Sequence, residues 1–387
     1  MAGLTRPVAI AGVGYSPISR DGQHDIRRLA LQACRAALDD AALKPDDIDA
    51  IIEYQFGGRG DSPIAVGVQR LLGIKNLHVF NDIMGSGPSG LAGALDAAMA
   101  VASGACETAL VYRCITRDAG HSGALQTAPI PAAGPAQFSV PYGLGGGIIH
   151  SIAMRKQRRI FELGGSNEDY GYVALNSRKW GARNDRAVLR DPLTMDDYLS
   201  SRPVADPLVL LDCDYPVSGA CAAIITTAER AADMAQPVVL VDAIAYGTGT
   251  NPDWIYQDDF LFGGTLDCAH RLWSTSSVSA ADVDLAELYD GFTHITISWI
   301  EALGFCGIGE FGEWVDEGRC IGPGGSLPLN THGGQLSEGR IHGLSFVTEA
   351  VLQLRGQCGD RQVDGARVGV VSNAHGPQCG AMVLLRP

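Results

Sequence analysis

Short, largely apolar segments alternate along this chain with longer segments whose apolar residues recur at helical spacing. The segment PVAIAGVGYSP from Pro7 is rich in β-branched and small apolar residues and runs into a glycine turn, which predicts a buried strand. Residues 25–43 follow with helical periodicity, and another apolar run comes next. Strands that alternate with helices in this order predict an α/β fold.

The same order of elements occurs twice, so the chain contains an internal repeat. KPDDIDAIIEY at 44–54 matches SAADVDLAELYD at 279–290. At a constant offset, the matching positions are Asp47, Asp49 and Tyr54 on Asp282, Asp284 and Tyr289. Before the second copy, PVVLVDAIAYGTG from Pro237 repeats the strand from Pro7, and 260–274 forms a shorter helical counterpart of 25–43.

Each half then continues with a glycine-rich turn that leads into a helix, followed by a further strand. The turns begin GSGPSG at Gly85 and GGQLSEG at Gly333, and the strands are expected near 108–112 and 366–371. Two βαβαβ-like halves of one ancestral unit explain this order. The predicted units are residues 1–230, which include an insertion at about 118–208, and residues 231–387.

The insertion is rich in Gly, Pro and Ala at first, then charged and aromatic, and long excursions of this kind usually cover a site or form an interface. YGLGGG at 142–147 indicates a tight turn before a helix. Residues 169–185 are expected to form a helix. Its Arg178, Lys179 and Arg183 would either meet an anionic cofactor phosphate or form an ordinary solvated charged face.

Composition narrows the class of protein. The chain has 387 residues, of which 46% are hydrophobic and 19% charged, enough for two core-sized units. Its net charge of -14, without a basic run, disfavours a nucleic-acid partner. The ten cysteines never form CxxC and are typical of reduced cytosolic thiols. No signal peptide or long apolar run is evident, so a soluble, cytoplasmic protein is expected.

Three further motifs carry a family resemblance. They are ELYDGF at 287–292, GGQLSEGRIHG at 333–343 and LLDCDYPVSGACAAIITT at 210–227. Together with the duplicated halves, they resemble the thiolase superfamily, and most of all its sterol-carrier-protein and lipid-transfer-protein branch, from Pro7 to Pro387. The resemblance implies a five-layer α/β/α/β/α fold, with two mixed sheets around a central helix pair. It also implies a dimer that binds acyl-CoA.

The chemistry departs from the thiolase pattern at the position of the nucleophile. A thiolase needs a reactive cysteine at the turn that opens the central helix, where the helix N-terminus lowers the thiol pKa. Here the turn reads NDIMGSGPSG, and Met84 stands at that position. A thioether has no ionisable proton and cannot be acylated and released, so covalent Claisen chemistry is not expected.

The motifs of the second half differ in the same direction. Tyr289 stands where thiolases place an oxyanion-hole histidine or asparagine. Its phenol can donate a hydrogen bond, or accept a proton if its pKa is lowered from about 10. Arg340 falls at the position of the motif histidine, and His342 follows two residues later. The alternatives are structural: a packed tyrosine with a satisfied hydroxyl, and a histidine bound to backbone at a helix entry.

In SNAHGPQCGAMVLLRP at the C-terminus, His375 lies near the position where thiolases often carry a second, acid/base cysteine. Cys379 is better placed to pack beneath the turn than to serve as an acid or base. Structural roles are expected for His294 and His332. Tyr289, His342 and His375 are therefore the predicted catalytic residues. The residues predicted to contact CoA are Arg178, Lys179, Arg183, Gly85, Gly87 and Arg340.

A thiolase-like chain that lacks the nucleophile and carries the tyrosine resembles the aldolases of bacterial steroid side-chain degradation. The resemblance implies retro-aldol cleavage of a β-hydroxyacyl-CoA to a ketone and a short acyl-CoA. Such a reaction needs a base, an oxyanion site and an acid, but no covalent nucleophile, metal or cofactor beyond the CoA substrate. Tyr289 would be the base and His342 or His375 the donor, while backbone amides of 85–87 would add to the oxyanion site.

Other readings and partners also follow from the resemblance. A thiolase-like acyltransferase with another nucleophile and a non-catalytic scaffold subunit stay open. The family's aldolases carry a second tyrosine near Arg340, so the arginine puts the proton path or the substrate in doubt. A small OB-fold, zinc-ribbon protein, or a hydratase subunit with that domain, is the implied partner. The apolar segment 130–143 is a candidate interface or steroid pocket.

Overall fold

The structure is a computed structural model that describes residues 5–20, 24–55, 62–84, 89–116, 132–144, 148–251 and 253–387. Its strands are β1 (Val8–Tyr15), β2 (Ala50–Gln55), β3 (Val79–Met84), β4 (Thr108–Ile115), β5 (Pro203–Ala205), β6 (Leu208–Val209), β7 (Gly219–Thr227), β8 (Val239–Thr248), β9 (Leu285–Glu287), β10 (Val368–His375) and β11 (Gln378–Leu385). Its helices are α1 (Ile26–Asp40), α2 (Ala65–Leu72), α3 (Ser89–Ser103), α4 (Ile148–Leu163), α5 (Asn167–Gly181), α6 (Met195–Leu199), α7 (Ala228–Ala232), α8 (Thr265–Thr275), α9 (Thr293–Ala302), α10 (Phe311–Trp314), α11 (Gly334–Ser337) and α12 (Leu344–Arg355).

Among the described residues, the main sheet has nine strands in the order β3-β2-β4-β7-β1-β8-β11-β10-β9. The pairs β2 with β3, β2 with β4 and β9 with β10 are parallel, while the other neighbours run antiparallel. The two halves therefore each contribute a mixed sheet, as predicted. They are not separate, however, because β1 pairs with β8 over three residue pairs and joins them at the middle.

The layers follow from which strands each helix touches. α3 packs on β2 and β4 of the first half and also on β10 of the second, while α12 packs on β9 and β10 and also on β7. These two helices thus form the central layer. α1 covers the outer face of the first half and α8 covers the outer face of the second. The five-layer arrangement expected from the sequence is confirmed.

Alternation of side chains along β1 shows how the sheet serves two cores. Val8 and Ile10 belong to the core around the central helices, while Ala9 and Ala11 belong to the core beneath α1. Because both faces are covered, the strand has no polar face to present to water. Its near-continuous apolar sequence follows from this burial.

The internal repeat is reproduced in its hydrogen bonds. In the first half, the Asp49 carboxylate accepts hydrogen bonds from the backbone N–H groups of Glu107 and Thr108 at 2.9 and 2.8 Å. In the second half, the Asp284 carboxylate accepts from the N–H groups of Arg367 and Val368 at 2.8 and 2.9 Å. Each aspartate thereby fixes the start of β2 or β9 against the neighbouring parallel strand.

The described part of the insertion is more regular than the sequence suggested. It contains α4, α5 and α6, and α5 spans 167–181 where a helix was predicted over 169–185. α5 contacts α9 and α11, so it lies directly beside the second C-terminal motif. None of the described helices is long and apolar enough to span a bilayer.

Replacing the repeat aspartate should destabilise the second half. Asp284→Asn removes the charge from an acceptor of two N–H bonds, and we expect the free energy of unfolding to fall by about 1 to 3 kcal/mol. Chemical denaturation followed by circular dichroism measures this change. Asp360→Asn, at an exposed position, is the control and should leave the midpoint unchanged. Equal midpoints for Asp284→Asn and the wild type would contradict the assignment.

Candidate active site

The two C-terminal motifs meet at the ends of β9 and α11. Glu287 ends β9, Tyr289 follows two residues later, and α9 begins at Thr293. Arg340 and His342 lie in the connection between α11 and α12. A hydrogen bond from the backbone N–H of Arg340 to the Tyr215 carbonyl, 2.8 Å long, ties this connection to the segment before β7.

Aromatic rings from both halves surround His342. The ring centroid of Tyr289 lies 6.4 Å from that of His342, and the ring of Tyr54 lies 5.6 Å from it. Tyr54 and Tyr289 are the equivalent residues of the internal repeat. The duplication therefore places one phenol from each half against the same imidazole.

Arg340 is held by charge on one side and by the imidazole on the other. Its Nε lies 2.9 Å from Oδ2 of Asp214, and both side chains are nearly buried. Its Nη2 lies 3.1 Å from Nε2 of His342. The structure thus brings Tyr289, Arg340 and His342 together, as the sequence motifs predicted, and adds Asp214.

A buried amide and carboxyl hold the connection in place. The backbone N–H of His342 donates to Oε1 of Gln335 at 3.1 Å, and the N–H of Gln335 donates to Oδ1 of Asp290 at 2.9 Å. Burial raises the pKa of Asp290 to about 7, against the hydrogen bonds that favour its charged form. Asp290 follows Tyr289 directly, so this chain of contacts links the two motifs through backbone groups.

Tyr289 is protonated at neutral pH. Burial raises the pKa of its phenol to about 12, although the positive charge of Arg340 works in the opposite direction. The prediction that Tyr289 accepts a proton depended on a pKa lower than that of an ordinary tyrosine. In the protein without substrate the burial outweighs the arginine, and the resting phenol is a hydrogen-bond donor.

Asn373 is a site residue that the sequence did not single out. Its side chain is fully buried, and neither amide atom has a hydrogen-bond partner within the described residues. It packs against Gly343, where a Cβ would lie 1.4 Å from its Nδ2 and where φ is +107°. Only glycine fits there. An unsatisfied amide beside His342 is chemically suited to receive a ligand oxygen.

His375 lies in a different network. Its Nδ1 is 2.9 Å from the hydroxyl of Thr265, and its Nε2 is 2.9 Å from the Leu261 carbonyl. Burial and the nearby Arg155 lower its pKa to about 3. Both ring nitrogens are therefore engaged by the protein in the neutral form. The catalytic role expected for His375 stays a prediction.

The position of the thiolase nucleophile also falls near this site. Met84 ends β3 and is exposed, while Gly85 and Gly87 lie outside the described residues. In the first turn of α3, the N–H of Gly90 donates to the His342 carbonyl at 2.9 Å. A Cβ on Gly90 would lie 2.8 Å from that oxygen. The start of α3 is thus held against His342. Cys379, by contrast, is buried, and its thiol donates to the Gly247 carbonyl.

The basic residues predicted to meet CoA lie at the C-terminal end of α5. Arg178 donates to the Asp191 carbonyl at 3.1 Å and approaches the Ser337 hydroxyl at 3.4 Å. Lys179 and Arg183 are exposed, and the Arg183 guanidinium lies 5.7 Å from the centroid of the Trp180 ring. Two of the three cations therefore face solvent, and the third supports α11.

A buried ionic cluster lies beneath both motifs. Nδ1 of His332 is 2.9 Å from Oε2 of Glu287, and its Nε2 is 3.9 Å from Oε2 of Glu338. Burial lowers the pKa of His332, but the two carboxylates outweigh burial and raise the pKa to about 9. His332 is thus a buried cation between the two motif segments, which fits the structural role expected from the sequence. His294, also buried, stacks on Tyr170 and meets the ring of His375 edge-on.

This cluster predicts a loss of stability at alkaline pH. His332 binds its proton more tightly in the folded protein than at its unfolded pKa of about 6.5, so its contribution is complete below that pH and is lost as pH rises through about 9. The loss should approach about 3 kcal/mol, at roughly 1.4 kcal/mol for each pKa unit. Thermal unfolding measured across this range tests it. The slope should disappear in His332→Asn and persist in the exposed control His270→Asn; an unchanged slope in His332→Asn would refute the assignment.

Comparisons with known proteins agree with this geometry. The family described as Thiolase C-terminal domain-like matches residues 249–385. The 17-hydroxy-3-oxo-4-pregnene-20-carboxyl-CoA lyase of Mycobacterium tuberculosis is 36% identical over 366 residues, covering 91% of this chain and 92% of that protein. The steroid side-chain-cleaving aldolase of Thermomonospora curvata is 32% identical over 393 residues, covering 99% of each.

A solved structure, Ltp2-ChsH2(DUF35) aldolase, superposes with a TM-score of 0.89 at 31% identity and covers 100% of this chain and 99% of that one. The family and fold predicted from the motifs are therefore confirmed. The chain belongs to the thiolase superfamily, in the branch that contains the steroid side-chain-cleaving aldolases.

Proposed function

We propose that this protein is a retro-aldolase that cleaves a carbon–carbon bond of a β-hydroxyacyl-CoA, with a steroid side-chain CoA thioester as the substrate class. The observation that carries the proposal is the buried group of Tyr289, Arg340 and His342 in a chain that carries Met84 at the position of the nucleophile. Proton-transfer groups are present where a covalent nucleophile is missing. The names of the relatives, a carboxyl-CoA lyase and a side-chain-cleaving aldolase, support the same chemistry.

The reaction balances without a cofactor beyond the CoA substrate. Tyr289, as phenolate, takes the proton of the β-hydroxyl, and the oxygen electrons form the ketone as the Cα–Cβ bond breaks. The electrons of that bond pass into the thioester, which becomes an enolate. His342 and Asn373 donate hydrogen bonds to the enolate oxygen. The proton that Tyr289 took up is then passed back to Cα, which releases the short acyl-CoA and restores the phenolate. For a 17-hydroxy steroid with a three-carbon side chain, the products are a C17 ketone and propionyl-CoA.

The exposed cations of α5 are the proposed contacts for CoA. Lys179 and Arg183 are exposed at the C-terminal end of α5, a helix that contacts α11, and are available to the phosphates of a CoA whose thioester reaches His342. Arg178, which already binds the Asp191 carbonyl, holds this end of α5 against Ser337. Gly85 and Gly87 keep their predicted role at the entry of α3.

A protein partner is also part of the proposal. A small OB-fold, zinc-ribbon partner, or a hydratase subunit that carries one, is proposed because the similar aldolase structure is the complex Ltp2-ChsH2(DUF35). The segment 130–143, of which 132–143 is described, exposes Phe138 and Tyr142 and is a candidate contact surface.

A cytoplasmic location is also proposed, since all ten cysteines are free thiols.

The decisive test is product formation with a matched tyrosine control. The protein, co-purified with the products of its neighbouring genes, is incubated with a 17-hydroxy steroid carboxyl-CoA, and the ketone and acyl-CoA are quantified by mass spectrometry. Tyr289→Phe should lower turnover by at least about 100-fold without unfolding the protein, because it removes the base. Tyr246→Phe removes a phenol that donates to Asp96 outside the site, and should keep activity.

Other outcomes would select another function. Unchanged turnover in Tyr289→Phe would remove this residue from the mechanism. An acylated cysteine after incubation with acyl-CoA would support a thiolase-like acyltransferase. Intact substrate in the presence of the partner would support a scaffold subunit instead.

A homodimer through β3 is the remaining part of the proposal. Among the described residues β3 pairs only with β2, and it exposes Phe80 and Met84 on one face with relative exposures of 62% and 63%. An exposed apolar edge strand favours pairing with a second copy. Sedimentation velocity should show a dimer for the wild type and a monomer for Phe80→Lys. Phe161→Lys, at an even more exposed aromatic on α4, should stay dimeric; a monomeric wild type would contradict the proposal.

A further inference from the structure

We propose that the buried pair of Arg340 and Asp214 is a positioning device for proton transfer: Arg340 holds His342 in one neutral tautomer and places a positive charge beside the phenol of Tyr289, while Asp214 anchors the arginine and tempers its charge. The kinetic part of this inference rests on the proposed retro-aldolase function. The tautomer and the phenol titration do not, because both can be measured without turnover.

The first step is that Arg340 has little freedom to move. The backbone N–H of Arg340 donates to the Tyr215 carbonyl, and the backbone of Arg340 forms a parallel β-bridge with Pro216. Its Nε faces Oδ2 of Asp214 at 2.9 Å, and the two side chains are only 9% and 7% exposed. A guanidinium fixed at both ends, and shielded from water, acts on its neighbours as a stationary charge.

The second step assigns the proton of His342. A guanidinium carries only donors, so the 3.1 Å contact between Arg340 Nη2 and His342 Nε2 requires a lone pair on Nε2. In the neutral imidazole the proton then lies on Nδ1. His342 is therefore a neutral Nδ1–H donor, which suits a group that must hydrogen-bond to an enolate oxygen.

The third step concerns the phenol of Tyr289, which faces charged and titratable groups from several segments. Burial raises its pKa most, the charge of Arg340 lowers it, and the charge of Asp214 raises it. His342, whose ring lies edge-on to the phenol, is neutral in this arrangement. Arg340 and Asp214 consequently act on Tyr289 with opposite signs.

Opposite shifts of the Tyr289 pKa in the Arg340 and Asp214 variants distinguish a positioning role from a merely structural one. Removing Arg340 should raise the pKa of Tyr289, and neutralising Asp214 should lower it. Loss of a packing contact would instead weaken activity without moving the titration in opposite directions. A control exists in Arg355, a buried arginine away from this site, whose Nη1 lies 2.8 Å from Oδ2 of the partly buried Asp40.

The first measurement is nuclear magnetic resonance of the purified protein with isotope-labelled histidine and tyrosine. His342→Asn and Tyr289→Phe identify the two signals by their absence. The wild type should show His342 as the Nδ1–H tautomer. Arg340→Gln should release it to a mixture of tautomers and shift the tyrosine titration to higher pH. Asp214→Asn should keep the tautomer and shift the titration to lower pH, and Arg355→Gln should change neither.

The second measurement is the pH profile of kcat/KM for cleavage. Activity of the wild type should rise with pH, because the phenolate is a minor species below about pH 12. Arg340→Gln should lower kcat/KM at neutral pH by roughly tenfold for each pKa unit gained, and Asp214→Asn should displace the profile to lower pH. Should Arg340→Gln fail to fold, Arg340→Lys keeps the charge. Its profile should then stay close to the wild type while the His342 tautomer is released.

The inference is overturned if wild-type His342 carries its proton on Nε2, or if Arg340→Gln and Asp214→Asn move the tyrosine titration in the same direction or not at all. Absence of cleavage by the wild type, with the tautomer and titration as expected, would remove the proposed function and leave the electrostatic arrangement standing. The two failures are thus distinguishable.

Discussion

The buried contact of His332 with Glu287 and Glu338 is the interaction on which the site depends. Each glutamate stands two residues before a site residue: Glu287 before Tyr289, and Glu338 before Arg340. Separating the two segments would leave charges in the interior without partners, which costs several kcal/mol. The contacts of His332 with the two glutamates therefore fix the position of one motif relative to the other. The phenol and the guanidinium meet as a consequence of a contact that lies outside the reacting groups.

Much of this arrangement could be predicted from the sequence, because the repeat carries local chemistry with it. Asp49 and Asp284 occupy equivalent positions and make equivalent hydrogen bonds to the next parallel strand. Tyr54 and Tyr289 are equivalent in the same way and reach the same imidazole. Met84 excluded the covalent mechanism on chemical grounds alone. In each case the residue type and its place in a motif were sufficient.

The remaining features depend on contacts between distant segments, for which the sequence has no local signal. Asp214 lies in the motif at 210–227, but its pairing with Arg340 requires the connection between α11 and α12 to pass beside it. Asn373 packs against Gly343, which is distant in sequence. Both ring nitrogens of His375 are engaged, one by the Thr265 hydroxyl and the other by the Leu261 carbonyl. The pKa of Tyr289 depends on burial, which outweighs the neighbouring arginine. The join between β1 and β8 is likewise a matter of tertiary geometry.

The two equivalent tyrosines show that the site is built from residues of both halves of the repeat. Tyr54 and Asp214 belong to the first half of the repeat, whereas Tyr289, Arg340 and His342 belong to the second, so the site lies at the junction of the two halves. Neither half contains the complete set of groups. The packing of α3 against α12 in the middle layer therefore helps to assemble the site. A substitution that displaces one half relative to the other would also displace the groups of the site.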